Sequence, residues 1–163
     1  RYLLSKYSKV ILYTVDPQNG HDREIIRAIQ HSPSDWFWFV RVHPKRVDML
    51  KYTKKRMGDT KCGFAIDNIH LLPLYSFLKV CDVHITERSS TIIEAANFGI
   101  KSIVTSKYSY ESFKRFVDSG KIVYCCKWKE ILKCAKGLKR DKDDIKEGKE
   151  DDIIKLVKMI EEF

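Results

Sequence analysis

The stretch Asp82-Val83-His84-Ile85-Thr86-Glu87-Arg88-Ser89-Ser90-Thr91-Ile92-Ile93-Glu94-Ala95-Ala96-Asn97-Phe98-Gly99 decides the fold class. Residues 82–86 read as a strand. The chain then runs into Ser-Ser-Thr, where a helix over 91–98 begins, and Gly99 stands where a helix stops in the left-handed conformation. The same strand-then-helix unit repeats on either side. Residues 9–15 (KVILYTV) are rich in β-branched and aromatic side chains and read as a strand. A polar loop follows, and residues 21–30 carry Ile25, Ile26 and Ile29 at helical spacing. Residues 36–42 (WFWFVRV) form a continuous apolar strand stopped by Pro44, and 46–57 read as an exposed basic helix. A short strand is expected over 62–66. An apolar helix follows over 71–80, with Pro73 in its first turn, where a missing N–H costs little. Strand, helix, strand and helix continue over 101–105, 110–118, 121–125 and 128–138. Residues 140–152 are densely charged, and 153–163 have the pattern of a last amphipathic helix.

Nearly continuous apolar strands between helices are what a parallel sheet covered on both faces requires. The expected fold is therefore α/β: a Rossmann-like, doubly wound parallel sheet of about six strands. The expected organisation is one domain over 1–139, followed by a charged linker and C-terminal helix over 140–163. Such sheets take ligands outside the C-terminal ends of their strands. Function should then sit in the loops after strands, and four of these carry unusual residues: 16–21, 41–44, 67–70 and 87–91.

The 163 residues suffice for one domain with a real core. Hydrophobic residues at 44% and charged residues at 33% exclude a disordered chain, and 7 Gly with 4 Pro exclude a collagen-like one. No run approaches eighteen uncharged apolar residues, so no transmembrane helix is expected. The chain starts at Arg1 without an initiator Met, which suggests a piece of a longer protein. A net charge of +9 favours anionic partners such as nucleic acid, phosphorylated ligands or an acidic membrane surface, or simply reflects lysine-decorated solvent faces. The five cysteines, an odd number without CxxC spacing, read as reduced thiols in a cytoplasmic protein with no zinc site.

Two elements carry chemistry. At the Ser89-Ser90-Thr91 helix start, backbone N–H groups and the helix dipole attract phosphate, and three hydroxyls add donors. Glu94, one turn on, could accept from ribose hydroxyls, although Thr91-x-x-Glu94 also reads as a capping box. The second element is Arg41-Val42-His43-Pro44-Lys45-Arg46. A histidine at this strand end, donating from both ring nitrogens, could clamp a diphosphate and neutralise charge on a leaving phosphate. Pro44 keeps His43 extended. Taken alone, His43 also reads as a surface residue. Both elements lie on the same edge of a parallel sheet. His84, inside a strand, reads as a packing histidine. His31 sits near a helix end, Trp36, Trp38 and Trp128 read as packing residues, and the basic clusters over 51–56 and 136–142 read as solvated faces.

The segment around His43-Pro44, with the segment over 71–105, resembles the C-terminal nucleotide-binding domain of GT-B glycosyltransferases of bacterial surface and capsular polysaccharide synthesis. The type with HP and SS/T motifs includes polysialyltransferases, capsule Kdo transferases and CDP-glycerol glycerophosphotransferases. The resemblance implies one lobe of a GT-B fold. It implies donor-phosphate binding and leaving-group stabilisation by His43, phosphate binding by Ser89, Ser90 and Thr91, and ribose binding by Glu94. It implies a base-reading loop at Asp67, Asn68, Ile69 and His70, and a loop facing the interdomain cleft that includes Gln18, Asn19 and Gly20. The donor would be CMP- or CDP-linked, with a UDP-linked donor next, and no metal or resident cofactor is implied. The implied partners are the absent N-terminal GT-B domain, which supplies the general base, and a polysaccharide or lipid-linked acceptor. The location would be the cytoplasm, in peripheral contact with the inner membrane face, and nucleic acid would not be a partner. Glu87-Arg88 departs from the pattern, since relatives carry small or aromatic residues there. Arg88 would either help hold phosphate or point to solvent. Two other readings remain: a UDP-N-acetylglucosamine 2-epimerase-like enzyme on the same fold, and a basic nucleic-acid-binding α/β module.

Overall fold

The computed structural model describes residues 6–16 and 23–140. Strand and helix alternate along them: β1 (Lys9–Thr14), α1 (Arg23–Gln30), β2 (Trp36–Arg41), α2 (Leu50–Met57), β3 (Gly63–Ala65), α3 (Leu74–Leu78), β4 (Val83–Thr86), α4 (Thr91–Asn97), β5 (Lys101–Val104), α5 (Lys107–Ser112), α6 (Lys114–Asp118), β6 (Ile122–Tyr124) and α7 (Trp128–Gly137). The six strands form one sheet in the order β3-β2-β1-β4-β5-β6, and every pairing is parallel. This is the strand order of a Rossmann sheet, with its reversal point between β1 and β4.

The strand pleat sends alternate residues to opposite faces. Ile11, Tyr13, Trp38 and Val40 pack with Ile25 and Ile29 of α1 and Ile131 of α7. Val10, Leu12, Phe37 and Phe39 pack on the other face with Phe77 and Leu78 of α3 and Ala95 of α4. Both faces are therefore covered, as the continuous apolar strands require. Trp36 and Trp38 are core residues, and Trp38 Nε1 donates to Ser32 Oγ at 3.0 Å. Trp128 packs against His31 and Arg27, and the His31 ring closes α1 through Nδ1 and the Arg27 carbonyl at 2.8 Å.

Several expected elements are shorter or divided. The helix over 71–80 reduces to α3, because Pro73 forces Leu72 into an extended conformation (φ −90°, ψ 150°) and a separate 3-10 turn, Ile69–Leu71, precedes it. The helix over 46–57 divides into a 3-10 turn, Pro44–Met49, kinked at Arg46, and α2. The helix over 110–118 starts earlier and breaks at Phe113 between α5 and α6. Asp82 stands outside its strand and caps the sheet instead. Its carboxylate accepts from the Val10 N–H at 2.8 Å, while its own N–H donates to the Val10 carbonyl at 2.7 Å.

The segment with Gln18, Asn19 and Gly20 lies outside the described residues, as does 141–163, where most of the charged linker and the last helix are expected. Among the described residues, no helix is long and apolar enough to cross a membrane. All five cysteines are free thiols.

Candidate functional site

β1 has β2 on one side and β4 on the other, so the chain leaves the sheet in diverging directions at its C-terminal edge. A crevice is expected there. A cavity of about 460 Å³ occupies it. Thr14, Val15 and Asp16 line it from the end of β1, Arg41 and His43 from the end of β2. Arg88, Ser89, Ser90 and Thr91 enter from the β4–α4 connection, and Tyr108, Ser109 and Phe113 from beyond β5. The two sequence elements expected to carry chemistry thus meet in one space, although His43 and Ser89 follow strands separated by β1.

His43 has φ −60° and ψ 137°, the extended conformation imposed by Pro44. Its Nδ1 accepts from the Lys45 N–H at 3.2 Å, which caps the turn Pro44–Met49. With Nδ1 accepting in this bond, Nε2 is the ring nitrogen left open to a ligand, whereas the sequence reading has both nitrogens donating. Arg41 is half-buried behind it. Its Nη2 donates to the Leu72 carbonyl at 3.3 Å, while its buried Nε has no partner among the described residues. Burial pulls the Arg41 pKa below its ordinary value, but a guanidinium remains charged at any physiological pH.

The helix start differs from the expected row of open amides. Ser89 Oγ accepts from the Thr91 N–H at 3.2 Å and donates to Thr91 Oγ1 at 2.9 Å. The Ile92 and Ile93 N–H groups bond the Ser89 and Ser90 carbonyls at 3.3 and 2.9 Å. Ser89 and the buried Thr91 therefore shape the turn and occupy one another. Ser90 is exposed, and its side chain makes no cap bond. It is the hydroxyl left to meet a ligand. Thr91 is the first helical residue rather than the cap, so the Thr91-x-x-Glu94 box is not formed in the expected register.

The cavity floor rests on a buried polar chain. The Thr14 hydroxyl bonds His84 Nε2 at 2.8 Å, and His84 Nδ1 bonds the Ser102 hydroxyl at 2.9 Å. Thr86 Oγ1 donates to the Thr14 carbonyl at 2.9 Å. His84 is fully buried, and burial pulls its pKa down to about 3, so the ring is neutral. It is a packing histidine as expected, but it also fixes the side chain at the end of β1.

Asp16 is 3% exposed, and its Oδ2 pairs with Arg88 Nε at 3.1 Å. Arg88 therefore faces the cavity rather than open solvent. Glu94 is exposed in the first turn of α4 and is not among the cavity-lining residues. The loop at Asp67, Asn68, Ile69 and His70 lies beyond β3, two strands from β1. Asp67 pairs with Lys54 at 2.6 Å, Asn68 is left-handed (φ 56°), Ile69 is buried, and His70 Nδ1 is buried without a partner. The sequence alone does not single out Thr14, Tyr108, Ser109 or Phe113, although the loop after β5 obeys the same strand-end rule as the four loops with unusual residues. Among the described residues, no group of three His, Cys, Asp or Glu side chains could hold a metal ion.

No protein-family model matches the chain, and no curated protein does. Solved structures match it. The glycotransferase of kitacinnamycin superposes with a TM-score of 0.61 at 14% identity, over 97% of this chain and 40% of that one. The S. aureus MnaA–UDP structure gives 0.63 at 15% identity, over 83% and 37%. A structure of the wall teichoic acid polymerase TagF soaked with CDPG gives 0.50 at 16% identity, over 99% and 38%. The chain thus spans about two fifths of the length of these neighbours. Likeness at such identities establishes the fold, and the six-stranded sheet is a Rossmann-like lobe of the GT-B fold.

Proposed function

We propose that this lobe binds the nucleotide-activated donor of a GT-B transferase. The transferred group would be a sugar or a polyol phosphate, and the acceptor a cell-surface polysaccharide or its lipid-linked precursor. The observation that carries this reading is the convergence of Arg41 and His43 from the end of β2 with Arg88 and Ser90 from the β4–α4 connection in one cavity at the β1/β4 reversal point. When an acceptor hydroxyl attacks, negative charge develops on the leaving nucleotide phosphate. Fixed donors aimed at that charge lower the barrier. His43 Nε2–H and the Arg41 guanidinium are the donors on one side, and the Ser90 hydroxyl on the other. Glu94 would take the ribose, and the loop from Asp67 to His70 the base. The acceptor and the general base belong to the partner lobe of a GT-B enzyme. The UDP and CDPG named with two of the structural neighbours support a nucleotide in this crevice. A cytoplasmic location against the inner membrane face fits such an enzyme, with the basic face of α2 as the surface nearest lipid.

The test is a titration of the chain with CMP, CDP and UDP by calorimetry. Saturable binding is expected, weakened at least tenfold in His43→Ala and in Ser90→Ala. The reading is overturned if no nucleotide binds while random-sequence DNA binds in a salt-sensitive manner, which is the behaviour of a basic nucleic-acid module.

A further inference from the structure

Cys125, Cys126 and Cys134 gather where β6 passes into α7. The Cys125 N–H donates to the Val104 carbonyl at 3.0 Å, which extends the β5–β6 ladder by one residue, and its side chain belongs to the core. Cys134 lies within α7 and packs half-buried against the same core cluster. The chain turns between them at Lys127, whose N–H donates to the Glu130 carboxylate at 3.2 Å. This turn lays α7 back over the end of β6, and the Cys125 thiol meets Cys134 Sγ at 3.0 Å. Two sulfurs nine positions apart are thus in direct contact as free thiols. The remaining cysteines stand differently. Cys62 Sγ donates to the Ile29 carbonyl at 3.4 Å, and Cys81 is fully buried, where burial pushes its thiol up to about 12. Cys126 is exposed, and its Sγ faces the Glu130 carboxylate at 3.9 Å rather than a second sulfur.

Thiol oxidation that ends in a disulfide needs one sulfur an oxidant can reach and a second sulfur beside it. Cys134 is the reachable one of this pair, since Cys125 is 3% exposed. Burial and the adjacent Cys134 thiol push the Cys125 thiol above its ordinary value, so Cys125 keeps its proton at neutral pH. In a reducing cytosol such a pair rests as thiols and is oxidised only transiently.

We propose that Cys125 and Cys134 form an oxidative modification site, at which a peroxide converts the thiol pair into an intrachain disulfide. Cys134 Sγ attacks one peroxide oxygen and the O–O bond breaks. The thiol proton leaves with the departing hydroxide as water, and Cys134 becomes a sulfenic acid. Cys125 Sγ then attacks that sulfur. The S–S bond forms, the S–O bond breaks, and the second hydroxide departs as water with the Cys125 proton. The two sulfurs together give up one electron pair, and the peroxide takes it. A dithiol reductant reverses the change by thiol–disulfide exchange. In the linked form α7 is tied covalently to the end of β6.

The experiment treats the full chain with hydrogen peroxide, denatures it, alkylates the remaining thiols and maps the unreduced peptides by mass spectrometry. Before alkylation the treated chain should be lighter by two hydrogen atoms, with Cys125 joined to Cys134 and the other three of the five cysteines alkylated. Dithiothreitol added after the peroxide should restore all five to alkylation. Cys126→Ser, which removes the exposed thiol, should leave the link in full. Cys125→Ser, its fold verified by circular dichroism, should stop the reaction at a Cys134 sulfenic acid that dimedone captures. Should that variant fail to fold, the maps of the unaltered chain and of Cys126→Ser still decide. The proposal is overturned if peroxide leaves Cys125 and Cys134 as free thiols, whether the chain is otherwise unchanged or is joined to a second chain through Cys126. It is also overturned if a folded Cys125→Ser variant gives no dimedone adduct on Cys134.

Discussion

The neutral, fully buried His84 ties the pH dependence of stability to a single side chain. An unfolded chain exposes the ring, which then titrates near 6.5, whereas in the folded protein burial pulls it to about 3. Below pH 6.5 the unfolded state takes up a proton that the folded state refuses, so stability falls as pH falls. The loss runs from about pH 6.5 down to about 3, at up to about 1.4 kcal/mol per pH unit, and totals about 5 kcal/mol. A domain is stable by only about 5–15 kcal/mol, so this one ring should govern acid unfolding. The perturbation is His84→Gln, which does not titrate and retains a donor and an acceptor for Thr14 and Ser102. Urea unfolding at half-unit steps from pH 7.5 to 4.5 supplies the assay. The unaltered chain should lose about 2–3 kcal/mol between pH 6.5 and 4.5, and the variant far less. At pH 7 the variant should be the less stable by about 1–3 kcal/mol, because a flexible amide does not hold its donor and acceptor where the rigid ring places Nδ1 and Nε2. Carboxylates lowered in the fold, such as Glu24 and Asp48, contribute equally to both proteins and cancel in the difference. Parallel pH profiles for the two would refute the argument.

Two further predictions concern the scaffold beneath the site. Asp82→Ala removes the carboxylate that accepts from the Val10 N–H and leaves a buried amide without a partner. It should cost about 1–3 kcal/mol by urea unfolding, and Asp82→Asn, whose amide oxygen still accepts, should cost less. Gly63→Ala places a methyl group 2.7 Å from Phe37 Cδ2 and 2.8 Å from the Tyr7 hydroxyl. Phe37 is locked between Tyr7 and Phe39, so the added carbon should destabilise the β3 edge by about 1–3 kcal/mol, read as a lowered Tm.

Much of this fold is legible in the chain because parallel sheets leave a strong mark. WFWFV, residues 36–40, is apolar at every position because both faces of β2 are covered, and no solvent-facing helix or edge hairpin tolerates such a run. Helix boundaries are less legible. Pro73, read as a first-turn residue, precedes α3 entirely, and Phe113 breaks a stretch that reads as one helix. In both places local backbone geometry outweighs the hydrophobic pattern. The site is legible in part for the same reason. His43-Pro44 and Ser89-Ser90-Thr91 announce themselves as polar groups at strand ends. Which hydroxyls and ring nitrogens remain open does not, because that depends on hydrogen bonds such as Lys45 N–H to His43 Nδ1.

The sequence by itself determined that strands and helices alternate, that the sheet is parallel and covered on both faces, and that polar chemistry gathers at the strand ends. Hydrophobic period and turn chemistry are local properties, and a chain states them directly. Only the tertiary structure decided the lateral order of the strands. That order places β1 between β2 and β4, sets Asp16 against Arg88, brings Tyr108 to the same cavity and bonds Thr14 to His84. The periodicity that buries a strand is the same whichever strand lies beside it. Neighbours along the sheet are chosen by the global packing of the crossover helices, and the charge pair at the mouth of the cavity exists only once that choice is made.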